Sequence, residues 1–70
     1  MDPSELNFYW QQISALEKGQ RTGNDRGVVF HRGDYMLLEA EEGIKKTSCL
    51  DAARFLAGNY KFEEVEEIVS

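Results

Sequence analysis

Gly27-Val28-Val29-Phe30-His31-Arg32-Gly33-Asp34-Tyr35-Met36-Leu37-Leu38-Glu39-Ala40-Glu41 is the stretch that decides the fold. It reads as two short strands joined at Gly33-Asp34. Glycine at the first position of a two-residue turn suits the type II′ geometry that strand twist prefers. That turn sets the register: Arg32 faces Tyr35, Phe30 faces Leu37 and Val28 faces Glu39 on one side. Val29, His31, Met36, Leu38 and Ala40 then share the other side, because side chains alternate along a strand. Both sides carry apolar residues, whereas a sheet with one wet face alternates more cleanly. Either helices cover both faces of this hairpin, or one face meets another molecule. A two-stranded hairpin is marginal alone in water, so its flanks must supply cover.

Helical patterns stand on both sides. Upstream, Asp2 is placed to cap a helix, Pro3 suits a first turn, and Glu5 lies three residues after Asp2. The helix is expected from about Pro3 to Lys18, stopping at Gly19. At about 100° per residue, Leu6, Tyr9, Trp10, Ile13 and Leu16 share a face, while Phe8 points away from it. Residues 19–27 hold three glycines and lack large apolar side chains before Val28, which predicts a polar loop. The glycines do not precede a Lys-Ser/Thr pair, so no phosphate loop is present.

Downstream, Ile44-Lys45-Lys46 fits a loop or a short third strand. Ser48 and Asp51 form a capping pattern for a helix over about 48–57 that stops at Gly58. Its apolar stripe is Cys49, Leu50, Ala52, Ala53, Leu56 and Ala57, with Phe55 at the edge. In residues 60–69, Phe62, Val65, Ile68 and Val69 recur at helical spacing, yet Val and Ile also favour a strand. The expected architecture is a single small α+β domain of α-β-β-α order, with a helical or extended tail.

At 70 residues, a chain buries a limited core, and small domains commonly add disulfides, a metal or self-association. One cysteine, Cys49, forms no internal disulfide, and one histidine with one cysteine falls short of a zinc site. No cofactor, metal or catalytic residue is expected. His31 and Cys49 would need a nucleophile–base geometry that nothing else in the chain supports; a packed thiol and a half-exposed imidazole account for them. The acidic runs Glu39, Glu41, Glu42 and Glu63, Glu64, Glu66, Glu67 read as solvated faces rather than as paired acid–base groups. Arg32-Gly33-Asp34 spells an adhesion tripeptide, but Gly-Asp is also plain turn chemistry.

Thirteen acidic residues against eight basic ones give a net charge of −5, which disfavours non-specific nucleic-acid binding. The distribution is uneven: Lys18, Arg21, Arg26 and Arg32 precede an acidic tail. The apolar runs are too short to span a membrane. No basic-then-apolar leader opens the sequence, and with one lone thiol a cytoplasmic location is expected.

The functional expectation is a small acidic, non-enzymatic interaction module. It would act as a regulator or inhibitor by binding a partner protein, or itself as a homodimer, through one face of the hairpin. Val28, Phe30, Arg32, Tyr35 and Leu37 are the expected interface, with Phe8 as an outlying member. The alternative is a nucleic-acid-associated regulator using Lys18, Arg21, Arg26 and Arg32 as a basic rim.

Overall fold

The computed structural model describes residues 3–69. Its elements run α1 (Pro3–Ser14), β1 (Arg21–Asn24), β2 (Gly27–His31), β3 (Met36–Ala40), β4 (Gly43–Thr47), α2 (Cys49–Leu56) and a 3-10 turn (Phe62–Glu64). The fold is α+β, as the sequence predicts, but two further strands extend the hairpin into a four-stranded antiparallel sheet of order β1-β2-β3-β4. The α-β-β-α order is corrected to α-β-β-β-β-α.

The central hairpin takes the register its turn dictates: Phe30 pairs with Leu37 and Val28 with Glu39. Gly33 holds a φ of +98°, and the Arg32 amide donates to the Tyr35 carbonyl at 3.0 Å. β1 occupies the segment expected to be a loop. Arg21-Thr22-Gly23-Asn24 supplies no apolar side chain. The strand is instead held by backbone pairing to β2 and by Asn24, whose Nδ2 donates to the Leu56 carbonyl at 2.7 Å and whose Oδ1 accepts from the Arg26 amide at 2.8 Å. Gly27 is fixed by close approach: a Cβ there would come within 2.6 Å of the Glu39 carbonyl oxygen and 3.3 Å of Ala40 Cβ.

α1 ends at Ser14, short of the expected Lys18. The chain leaves the helix because the next backbone groups bond to the sheet: the Gly19 amide donates to the His31 carbonyl and the His31 amide to the Gln20 carbonyl, both at 2.9 Å. The expected Asp2 cap lies outside the described residues. At α2 the capping pattern is realised, with the Asp51 amide donating to Ser48 Oγ at 3.2 Å, and Gly58 follows at φ +86°.

Both helices lie on one side of the sheet. Ile13 of α1, Ala52, Ala53, Phe55 and Leu56 of α2, and Val65 of the tail enclose Val29 and Leu38 in one core. The alanines let the helices and sheet approach closely. Phe55, expected at the edge of its stripe, is 1% exposed and is among the largest fully buried side chains. Trp10 departs in the other direction and is 47% exposed, leaving Leu6, Tyr9 and Leu16 to flank Ile13 on the core.

The tail is neither a full helix nor a paired strand. After the 3-10 turn it runs extended beside β4, where the Ile68 amide donates to the Lys46 carbonyl at 2.9 Å. Lys45 anchors it: Nζ donates to the carbonyls of Phe62 (2.7 Å) and Val65 (3.0 Å) and sits 4.7 Å from the Phe62 ring centroid. Among the described residues, no helix is long and apolar enough to cross a membrane.

Candidate interaction face

With the helices stacked on the Val29–Leu38 side, the opposite side of the sheet carries no covering element among the described residues. Strand alternation and register place its side chains in rows across the sheet. One row is Arg21, Phe30, Leu37 and Lys46; the next is Gly23, Val28, Glu39 and Ile44. Arg32 and Tyr35 stand beyond the first row, flanking the β2–β3 turn. Four apolar side chains, Val28, Phe30, Leu37 and Ile44, are thus contiguous on an open face. Ile44 is 56% exposed and the other three are half-buried by one another and by their cationic neighbours.

The cations here are ordered on aromatic rings. The Arg32 guanidinium lies 5.5 Å from the Phe30 ring centroid, and Lys46 Nζ lies 4.8 Å from that of Tyr35. Such contacts contribute roughly 0.5–1 kcal/mol at exposed sites and hold the charged heads close to the sheet. Arg21 and Arg32 also line one shallow depression with Phe30, and the Lys18 side chain passes beside Gly33.

The charge along the strands is polarised. Lys18, Arg21, Arg32 and Lys46 gather toward the β2–β3 turn, where Asp34 is the acidic residue of the turn itself. Glu39, Glu41 and Glu42 gather toward the β3–β4 turn, with Asp25 on the adjacent β1–β2 turn; these four line one cleft together with Arg26, the cation of that end, and the edge of Phe55. Among the described residues the one ion pair is Arg54–Asp51 at 3.5 Å, on α2, and the charges of the open face form none with one another.

The structure brings Val28, Phe30, Arg32, Tyr35 and Leu37 together on this face. Phe8 does not join them: it lies on α1, across the sheet, 55% exposed with its ring edge-on to Tyr9 at 5.2 Å. Of the four residues of the expected basic rim, Arg26 is removed. Its guanidinium packs 4.5 Å from the Phe55 ring centroid and donates to the Tyr60 carbonyl at 2.7 Å, at the opposite end of the sheet from Arg32. Ile44, Lys46 and Glu39 are members of the face that the hairpin alone does not reveal. The alternation in Ile44-Lys45-Lys46 carries that signal once the segment is a strand, since Ile44 and Lys46 then share a side.

His31 and Cys49 have separate partners. His31 Nδ1 accepts from the Gly33 amide at 3.1 Å, and Cys49 Sγ lies 3.3 Å from Ser14 Oγ. Among the described residues, no three His, Cys, Asp or Glu side chains are grouped to hold a metal ion. No protein-family model, curated protein or solved structure matches this chain.

Proposed function

We propose that the chain is a non-enzymatic protein-interaction module that docks a protein through the open face of its sheet, in a regulatory or inhibitory role. One observation carries the reading. Both helices pack on the Val29–Leu38 side, and a contiguous apolar patch of Val28, Phe30, Leu37 and Ile44 remains on the other, ringed by Arg21, Arg32, Lys46 and Glu39. Interfaces commonly have this make-up, an apolar and aromatic centre with arginine and a charged rim. A nucleic-acid role is the weaker reading. It retains Lys18, Arg21 and Arg32, but it loses Arg26, and the Phe30 and Tyr35 rings on which bases would stack already carry cations.

A photo-crosslinking side chain at Ile44 tests the reading against the same group at Gln12 on α1. The face predicts a discrete crosslinked protein from Ile44, absent from Gln12 and abolished by Phe30→Ser with Leu37→Ser. That double variant should retain its far-ultraviolet circular dichroism. Unfolding of the double variant, or equal crosslinking from both positions, would refute the reading.

A further inference from the structure

The face is complementary to itself in charge polarity when the strands of two copies run antiparallel across an interface. We infer that its occupant is a second copy of this chain, docked face to face about a two-fold axis that lies in the interface and runs across the strands; this rests on the reading of the open face given above. Two sheets can face each other about an in-plane axis along the strands or one across them. An axis along the strands would set Arg32 and Lys46 of one copy over the same basic end of the other, and Glu39 with Glu41 over the same acidic end. An axis across the strands inverts the order. The Arg21–Phe30–Leu37–Lys46 row then lies over the Gly23–Val28–Glu39–Ile44 row of the partner copy. Phe30 then meets Val28 on either side of the axis and forms the apolar centre; Leu37 lies over Glu39 and Lys46 over Ile44, so that Lys46 stands diagonally beside Glu39 and the basic end of one copy lies over the Glu39–Glu41–Glu42 end of the other. The charges select the arrangement and the two symmetry-related Phe30–Val28 pairs supply its apolar contact. Aligned face-to-face packing with sheets about 10 Å apart is a standard way to cover two such faces.

The polarity also bears on other occupants. A polyanion would be drawn to the Arg21–Arg32–Lys46 end and repelled by Glu39, Glu41 and Glu42. A second copy satisfies both ends at once.

The face is small. Four strands span roughly 19 Å, short of the ~800 Å² per partner that stable complexes bury, so the pair is a reversible one. Sedimentation equilibrium of the full chain between about 10 µM and about 1 mM should show its mass rising from 8.0 kDa toward twice that value. Arg32→Glu with Lys46→Glu makes the face acidic, and Glu39→Lys with Glu41→Lys makes it basic. Each variant should remain monomeric where the parent is half associated, and a one-to-one mixture should associate at least tenfold more tightly than either variant alone.

A parent chain that stays monomeric to about 1 mM overturns the inference whether or not the variants fold. So does a dimer indifferent to both charge reversals. If the chain is monomeric yet Ile44 still crosslinks to a different protein, the open face stands as a docking site and only the second copy is excluded. Salt-sensitive binding of a twelve-residue oligothymidine that Lys46→Glu abolishes would instead assign the face to nucleic acid, overturning both.

Discussion

Leu37 and Leu38 are neighbours in sequence with the same side chain, and the fold assigns them opposite fates. Leu38 is fully buried against Val29 and the helices, whereas Leu37 lies on the uncovered side. Replacing Leu38 by Ala removes buried methyl groups and leaves a cavity, a change that costs about 3 kcal/mol in comparable cores. Replacing Leu37 by Ala removes surface that solvent already reaches in part, and should cost about 1 kcal/mol or less. A domain of this size holds on the order of 3–5 kcal/mol in total, so Leu38→Ala should be partly unfolded in buffer while Leu37→Ala stays folded. Urea titrations followed by circular dichroism at low micromolar concentration, where the chain is monomeric, would show the contrast. With a slope near 1 kcal/mol/M, the midpoint should fall by about 3 M for Leu38→Ala and by about 1 M or less for Leu37→Ala. Equal losses, or a larger loss at Leu37, would mean that both faces are core, and the assignment of the open face would fall.

Two other substitutions probe how the covered side is closed. Lys45→Met removes charge-assisted hydrogen bonds to the carbonyls of Phe62 and Val65; it should destabilise the domain by about 2 kcal/mol and speed amide exchange at Val65 and Ile68 before the sheet itself opens. Thr47 is fully buried on the covered side with no hydrogen-bond partner for Oγ1 among the described residues, so Thr47→Val should stabilise by about 1 kcal/mol and raise the melting temperature by about 4–8 °C.

The parts of this fold that could be read from sequence are those set by local chemistry. Gly33 fixes the central turn, and from that turn the register and both faces of β2 and β3 follow. Ser48, Asp51 and Gly58 bound α2 for the same reason, since a cap and a left-handed stop are one-residue decisions. β1 was not legible, because Arg21-Thr22-Gly23-Asn24 buries no large apolar side chain and its place depends on backbone pairing and on Asn24 reaching the far end of α2. β4 was ambiguous because Lys45 points to the covered side, where a charge is unexpected until the tail supplies its two carbonyl partners.

The site followed the same division. Val28, Phe30, Arg32, Tyr35 and Leu37 share a side through register alone. Ile44 and Lys46 join only through β4, and Arg26 leaves the basic group because the β1–β2 turn carries it onto Phe55. Phe8 is exposed as its position off the stripe predicts, and Trp10 shows what helical periodicity omits. It gives the angular position of a residue but not the width of the surface that the neighbouring helix and sheet cover.

Solvent accessibility at single methyl groups tests the central claim most directly. In the monomer, a soluble paramagnetic probe should broaden the methyl resonances of Val28, Leu37 and Ile44 strongly while sparing those of Ile13, Val29 and Leu38. Protection of Val28 and Leu37 equal to that of Val29 and Leu38 would contradict the account.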